Sequence, residues 1–432
     1  MKILFISSNR LKRVMPPMPL GLASVIAQID EGSHQIRVLD LMFLDEPEKE
    51  LRETLSDYRP DLIAISIRNL DNQSSLYSEY FLPEAKALIE LCRRHCSAVI
   101  VIGGPAFTVS PQAVLAYLKA DFGIAGEGEI AFSELVERLE AKKDWSDIPG
   151  LVWREHEAVR SNPMKFIENL DALRLPRRDL FDNERYAFER GLANIVVKQG
   201  CAFNCLYCDS PFTLGRRWRM KSPERVADEL EIMQKDDGIS MAYFSDPIFN
   251  CPAEHAQAVC EAIKRRDLGI RWVASFHPAF IDRHLLSHMR EAGCILISLG
   301  CDSCSDKMLK TLRKGFTKDQ LAAAIGSLEE MEMNYILSLL IGGPGENRET
   351  VEETIRFLEP LNPFLLDFCA GIRIMPHTDL ADIAVREGVI APDDPLMEPR
   401  FYCSGDVREW IEEYLREACS RHSNWTLAHN EP

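Results

Sequence analysis

Several things are scarce in this chain of 432 residues, and each scarcity removes a class of function. No run approaches the roughly 18 consecutive apolar residues that a membrane span requires. Positive charge is in deficit: 50 Lys and Arg stand against 67 Asp and Glu, a net charge of −17. General attraction to nucleic acid or anionic lipid is therefore not expected. The opening Met1-Lys2-Ile3-Leu4-Phe5-Ile6-Ser7-Ser8 turns polar too soon for a signal peptide and reads as a first buried strand. A fourth cysteine is also missing. Cys201, Cys205 and Cys208 follow the spacing Cys-x3-Cys-x2-Cys, with no other Cys near enough to complete the group. Structural zinc closes its coordination with four ligands, and clusters that only carry electrons also tend to use four cysteines. Three thiolates leave one iron of a cubane cluster open, which points to chemistry. On spacing alone, a zinc knuckle or three buried reduced thiols are the alternatives.

What is present belongs to an ordinary globular protein, with 46% hydrophobic and 27% charged residues. The length suits two or three domains. Thirteen cysteines, an odd number without a signal peptide, argue for reduced thiols and a cytoplasmic location. One local basic run, Arg216-Arg217-Trp218-Arg219-Met220-Lys221, begins eight residues past Cys208. It reads either as a solvated loop or as an anion contact beside a cluster.

Residues 1–140 alternate short apolar runs with amphipathic stretches. Near-continuous apolar strands such as Leu62-Ile63-Ala64-Ile65-Ser66-Ile67 and Ala98-Val99-Ile100-Val101-Ile102 predict a parallel sheet covered on both faces. The expected fold is a doubly wound, Rossmann-like α/β domain with its ligand beyond the carboxyl ends of the strands. Residues 141–190, rich in charge, Pro and Asn, read as a connector with a small hairpin near Gly150-Leu151-Val152-Trp153. Residues 191–385 show six further βα units, a partial (β/α)6 barrel of TIM type with its chemistry at the strand carboxyl ends. Residues 386–432 read as a short helical segment, in which Pro399-Arg400-Phe401-Tyr402 and Trp425 either cover the pocket or pack.

The cysteine spacing, with Tyr207 before the last Cys, resembles the radical S-adenosylmethionine (SAM) enzymes. An ordered set of further motifs resembles the cobalamin-dependent subset, which carries an N-terminal B12-binding domain. These are Val101-Ile102-Gly103-Gly104-Pro105, Gly126-Glu127-Gly128-Glu129, Phe244-Ser245-Asp246-Pro247, Gly300-Cys301-Asp302-Ser303 and Ile341-Gly342-Gly343-Pro344-Gly345-Glu346. The match runs over nearly the whole chain. It implies a 4Fe–4S cluster held by Cys201, Cys205 and Cys208, with SAM on the open iron and cobalamin in the first domain. Where many cobalamin proteins carry Asp-x-His-x-x-Gly, this chain reads Ser7-Ser8-Asn9-Arg10-Leu11-Lys12-Arg13, so no axial His is available there.

The resemblance carries roles onto individual residues. Tyr207 flanks the cluster, and Asp246 helps hold the methionine end of SAM. Asp302 replaces the family's usual Glu at the ribose hydroxyls or the amine. Gly342 and Pro344 pass the adenine, and Arg219 meets a carboxylate. For cobalamin the candidates are Arg68, Asn69 and Asp71, then Gly103 and Gly104, where glycine admits close backbone approach, and then Gly126 and Glu127. Read without the resemblance, the same residues are capped loops, strand-to-helix turns and helix N-termini. His277 and Arg373, near strand carboxyl ends, are candidates to face substrate, although a lone His is more often packing. Cys301 and Cys304 form a Cys-x2-Cys that could ligate jointly only through a sharp turn, so buried free thiols are expected.

The implied activity is a cobalamin-dependent radical SAM methyltransferase. It would methylate an unactivated carbon by way of a 5′-deoxyadenosyl radical and methylcobalamin. Its expected partners are a small-molecule or natural-product-like substrate and an external electron donor such as flavodoxin or ferredoxin. The alternatives are a radical SAM rearrangement, cyclisation or coupling without net methyl transfer, and a non-catalytic cluster- or corrinoid-binding sensor.

Overall fold

The computed structural model describes residues 1–12, 15–156 and 158–427. They form two compact units: Met1–Asn72 with Glu79–Gly191 and Pro395–Pro399, and Gln73–Ser78 with Leu192–Asp394 and the chain from Arg400 on.

The first unit is a seven-stranded sheet of β1 (Lys2–Ser7), β2 (Gln35–Asp40), β3 (Leu62–Ser66), β4 (Val99–Gly103), β5 (Phe122–Ile124), β6 (Leu151–Glu155) and β7 (Ala158–Ser161). Their order is β2-β1-β3-β4-β5-β6-β7. The first five strands pair in parallel, and β6 and β7 add antiparallel. Ile3, Leu4, Phe5 and Ile6 are wholly buried, as a strand covered on both faces requires. The helix Pro47–Tyr58 buries Leu51, Leu55 and Tyr58, one face of a 3.6-residue period. The strand order reverses direction between β1 and β3, the switch point at which doubly wound sheets open a crevice.

Residues 141–190 do more than connect. The hairpin β6–β7 extends the sheet, and the remainder folds with the same unit. Charged neighbours mask this in the sequence, because among the hairpin's described residues only Leu151 and Val152 are buried.

The second unit holds β8 (Ala193–Ile195), β9 (Lys198–Gln199), β10 (Arg219–Met220), β11 (Met241–Phe244), β12 (Arg271–Phe276), β13 (Cys294–Asp302), β14 (Tyr335–Ile341), β15 (Leu365–Ala370), β16 (Ile372–Arg373), β17 (Phe401–Tyr402) and β18 (Trp425–Leu427). The parallel order β18-β15-β14-β13-β12-β11-β8 is the partial barrel, six βα strands extended by β18. Helices alternate with the strands and are capped by the sequence. Thr317 and Gln320 close a capping box on Lys318–Glu330, and Asn347 with Thr350 closes one on Arg348–Leu358.

The two faces of this sheet differ. Phe244, Trp272, Leu299, Leu337 and Phe368 join the hydrophobic core under the helices. Trp272 stacks on Phe244 with ring centroids 4.5 Å apart, and its Nε1 donates to the Ala292 carbonyl at 2.8 Å. The alternate residues Tyr243, Ser275, Ser298, Ser338 and Cys369 are only half-buried and turn to the other face, the barrel lumen. Gly300 shares that face, is exposed, and has no atom within 4 Å of where a Cβ would stand.

The C-terminal segment differs from the helical expectation. Among its described residues it holds one helix, Ile411–Ser420, and two short strands, β17 against β16 and β18 against β15. Trp425 is core, stacked on His422 and packed on Phe368.

Candidate active site

The cysteine loop is anchored at both ends. β9 and β10 pair antiparallel, Lys198 with Met220 and Gln199 with Arg219. Within the loop, Cys201 N–H donates to the Gly215 carbonyl at 2.9 Å and Leu206 N–H to the Leu312 carbonyl at 3.0 Å. Gly200 has φ +90, and a Cβ there would lie 2.1 Å from the Arg217 carbonyl oxygen, so the turn into Cys201 needs glycine. Cys201 is buried, Cys205 and Cys208 half-buried, and all three are free thiols. Burial pushes the Cys205 thiol up to about 11, reinforced by Asp302, Cys208 and Cys201 and opposed by Lys314. Cys201 is raised for the same first reason. Thiols that resist ionisation in a bare protein, as these two do, are ionised by a cationic iron site on binding. Among the described residues, no three His, Cys, Asp or Glu side chains are arranged around a single ion. A cubane makes a different demand, one thiolate on each of three irons.

Asp302 ends β13 in the left-handed region, φ +61. Its Oδ2 accepts a hydrogen bond from Tyr207 Oη at 2.5 Å and pairs with Lys314 Nζ at 2.7 Å. Lys314 Nζ also donates to Tyr207 Oη at 3.3 Å. Two residues singled out in the sequence thus meet directly, and a third that sequence reasoning missed contacts both. The available signal was Lys314 in Arg313-Lys314-Gly315, a cation placed just past an amphipathic helix.

Asp246 follows β11. Its Oδ1 accepts from the N–H groups of Val197 (2.8 Å) and Lys198 (3.2 Å), whereas its buried Oδ2 has no partner among the described residues. Burial pushes the carboxyl up to about 6, opposed by Lys198 and the two N–H groups. Lys198, also missed in the sequence, is wholly buried and donates to the carbonyls of Phe249 (2.7 Å) and Cys251 (2.6 Å). Burial lowers its ammonium to about 8.

Past β14, Glu346 turns back on its own loop. Its Oε2 accepts from the N–H groups of Gly342 (2.5 Å) and Gly343 (3.0 Å), and its buried Oε1 has no partner among the described residues. Gly342 has φ +108, and a Cβ would meet Cys403 Sγ at 2.9 Å. Pro344 stands half-exposed at the tip.

The remaining candidates are tied to backbone. Arg219 is buried on β10 and donates to the Leu214 carbonyl at 2.8 Å. Arg373 is buried on β16, donates to the Ile374 carbonyl at 2.6 Å and acts electrostatically on Asp209, next to Cys208. His277 stacks on Phe203, with centroids 4.5 Å apart. Its Nδ1 accepts from the Ala279 N–H at 3.3 Å, which leaves the proton on Nε2, 2.9 Å from the Lys314 carbonyl. Burial holds this imidazole neutral by lowering its pKa to about 4. Both ring nitrogens are therefore engaged. Cys301 and Cys304 do make the sharp turn that joint approach requires: Ser303 N–H donates to the Cys301 carbonyl at 2.7 Å, and the Cys301 thiol donates to the Ser338 carbonyl at 3.4 Å. Both are wholly buried.

In the first unit, a cleft of about 1040 Å³ opens past the carboxyl ends of β1 and β3. It is lined by Ser8, Asn9 and Arg10 after β1, by Arg68 and Asn69 after β3, and by Glu79 and Tyr80. Among the described residues, no His or Cys lines it. Asp71 is buried in a bridge to Tyr80 and does not line it. Gly104, φ +101, would place a Cβ 2.6 Å from the Ile67 carbonyl oxygen, so it sets the closeness of β3 and β4 behind the cleft. The neighbouring Gly103 carbonyl accepts from Ile67 N–H at 2.8 Å. Gly126 N–H donates to Thr108 Oγ1 at 2.9 Å, and Glu127 Oε2 accepts from Ile167 N–H at 2.6 Å. These last two tie loops together away from the cleft lining.

Residues 9–136 match the B12 binding domain and residues 195–358 the radical SAM superfamily. The chain is a radical SAM protein with an N-terminal B12-binding domain. It is 29% identical to an uncharacterized methyltransferase of Pyrococcus horikoshii, over 97% of this chain and 91% of that protein. It is 26% identical to the tryptophan 2-C-methyltransferase of Streptomyces laurentii, over 85% of this chain and 72% of that one. In fold it resembles the radical SAM methyltransferase TsrM of Kitasatospora setae, solved with cobalamin and a 4Fe–4S cluster bound. The TM-score is 0.86 at 22% identity, over 99% of this chain and 90% of that one.

A radical SAM domain implies a 4Fe–4S cluster and SAM, and a B12-binding domain implies cobalamin. The residues present fit these groups. Three thiols share one loop, and two orphaned carboxylate oxygens, Asp246 Oδ2 and Glu346 Oε1, stand ready for donors from a ligand. The cleft lies at the switch point and reaches the upper end of the ~300–1000 Å³ usual for ligand pockets. Its amide, hydroxyl and guanidinium groups suit the many amide side chains of a corrin.

Proposed function

We propose that this radical SAM protein is a cobalamin-dependent methyltransferase that places a methyl group on an unactivated carbon of a small molecule. The observation that carries the reading is the three-thiol loop, whose Tyr207 meets Asp302 and Lys314, on a chain that also holds a cleft of about 1040 Å³ past β1 and β3. When bound, the cluster with SAM supplies one-electron cleavage of a carbon–sulfur bond, and cobalamin supplies the transferable methyl group.

The protein's own residues hold, orient and shield. Cys201, Cys205 and Cys208 hold the cluster and leave one iron open. Asp246 Oδ2, fixed by two backbone N–H groups on its other oxygen, is aimed to accept from the amino group of SAM. The Asp302 side chain is fixed by Tyr207 and Lys314, which leaves Oδ1 for a ribose hydroxyl. The Gly342–Glu346 turn presents backbone without side-chain bulk for the adenine, and Arg219 and Arg373 brace the loops at the mouth. Arg68 and Asn69, with Ser8 and Asn9, receive the corrin edge. The half-buried hydroxyls of Tyr243, Ser275, Ser298 and Ser338 give the lumen polar contacts for a small substrate. An external one-electron donor is required to reduce the cluster.

Anaerobic reconstitution with iron, sulfide and hydroxocobalamin tests the reading. Cluster and corrin absorption are expected together. SAM and reductant should then yield 5′-deoxyadenosine, with S-adenosylhomocysteine added when substrate is methylated. Cys205→Ala is expected to abolish 5′-deoxyadenosine; unchanged formation in that variant sinks the cluster assignment.

A further inference from the structure

We propose that Lys198 is a positioning residue for SAM, holding the Asp246 carboxylate in place beside the cysteine loop, an inference that rests on the radical SAM reading above. Both side chains are buried. One oxygen of Asp246 is used and the other is open. Oδ1 accepts from the N–H groups of Val197 and Lys198, and Oδ2 has no partner among the described residues. A buried acceptor left open in this way calls for a donor from a ligand. The amino group of SAM supplies one.

Lys198 fixes where that open oxygen stands. Its backbone lies on β9, the strand that enters the cysteine loop, and supplies one of the two N–H groups on Oδ1. Its side chain reaches the far end of the segment that follows β11. There Nζ donates to the carbonyls of Phe249 (2.7 Å) and Cys251 (2.6 Å). One residue therefore grips the segment 246–251 at both ends. The segment is also tied to β12, where Phe249 N–H donates to the Ser275 carbonyl at 2.7 Å. The Lys198 ammonium further lies 6.0 Å from the ring centre of Trp218 and 5.7 Å from that of Phe249. Two carbonyls and two ring faces make a socket for a cation.

Charge links the pair a second time. Burial drives Asp246 toward its neutral form, and Lys198 is the largest opposing influence, ahead of the two N–H groups and Lys221. Lys221 is itself paired with Glu229 at 2.5 Å. The other titratable groups that act on Lys198 are the thiols of Cys251 and Cys201. With the ammonium in place the Asp246 carboxyl sits at about 6 and is ionised at neutral pH. Without it the carboxyl titrates higher, and Oδ2 loses its charge at the point where it should accept from SAM.

The test is equilibrium dialysis of radiolabelled SAM against the unreduced, cluster-loaded protein from about pH 5 to about pH 8. Parent affinity is expected to fall as pH drops through about 6. In Lys198→Gln and Lys198→Met the fall should begin about 1 unit higher, as loss of a nearby opposite charge requires, so that affinity at about pH 6 weakens roughly fivefold. Lys198→Arg, which keeps the charge and the donors, should keep the parent midpoint. Asp246→Asn should flatten the profile, and adding Lys198→Gln should leave it flat. Should Lys198→Met load no cluster, Lys198→Gln, which retains a donor, decides alone. A parent midpoint in the neutral variants overturns the proposal. So does equal weakening at every pH that persists in the Asp246→Asn background, which would make Lys198 a support of the loop only. A parent protein that loads the cluster and binds no SAM at any pH refutes the SAM reading itself, and the role of Lys198 falls with it.

Discussion

The Lys314 ammonium lies 2.7 Å from Asp302 Oδ2, and both side chains are buried beside the cysteine loop. A compensated charge pair has little net effect on a nearby cluster, but each half alone has a large one, because burial weakens dielectric screening. Net charge around a cluster is one of the factors that sets its potential. Lys314→Met leaves the carboxylate and should lower the cluster potential, whereas Asp302→Asn leaves the ammonium and should raise it. Each shift is expected to reach roughly a tenfold change in the reduction equilibrium, ~59 mV for one electron. The double variant should return toward the parent. Redox titration of the loaded protein without SAM checks the signs; shifts in the same direction would indicate structural damage and contradict the electrostatic account.

Glu346 makes stability depend on pH in a definite direction. Burial raises its carboxyl from 4.5 to about 7, opposed by the N–H groups of Gly342 and Gly343. The raised folded value means that its contribution is fully present below about 4.5 and is lost as pH rises through about 7. Glu346→Gln keeps the neutral form and should flatten this window, in which the parent loses up to about 3 kcal/mol relative to the variant. Urea midpoints of the cofactor-free proteins across that range measure the difference.

The first sheet was legible in the sequence because its strands are apolar on consecutive positions, Ile3–Ile6 and Ile63–Ile65 among them. β18 was not, because its three residues owe their place to pairing with β15, a contact far apart in the chain. The hairpin β6–β7 was seen, but not its union with the first sheet, which depends on the edge offered by β5. At the site, the cysteines announce themselves by spacing. Lys314 and Lys198 do not, because a lone lysine carries no period. Only the fold brings Lys314 to Asp302, and Lys198 to the carbonyls of Phe249 and Cys251. The lumen hydroxyls sat in plain view as single serines within apolar strands, a pattern of period two.

Gly104 supports the cleft past β1 and β3 from behind. A Cβ there would press on the Ile67 carbonyl oxygen at 2.6 Å, in a conformation, φ +101, that side chains resist. Gly104→Ala should cost ~1–3 kcal/mol and displace the chain just before Arg68 and Asn69. Thermal unfolding and hydroxocobalamin titration should both report weakening. Gly21, helical and with nothing within 4 Å of its Cβ position, is the control. Gly21→Ala should leave cobalamin binding intact and stabilise by roughly 0.5–1 kcal/mol.

Leu299 and Gly300 are neighbours on β13 that face opposite sides, and their substitutions should separate stability from turnover. Leu299 is wholly buried in the core under the helices, so Leu299→Ala should cost ~2–5 kcal/mol. Gly300 looks into the lumen with nothing within 4 Å of its Cβ position, so a larger side chain fits without a clash. Gly300→Leu should change stability by less than about 1 kcal/mol. Its isobutyl group would occupy the space beside Ser338, the register partner of Gly300 on β14. Cluster absorption and 5′-deoxyadenosine formation should persist, while methylated product falls at least tenfold, because only the substrate needs that volume. Denaturant midpoints, absorption spectra and product yields on the same preparations check all three, and a Gly300→Leu protein with full product yield would place the substrate elsewhere.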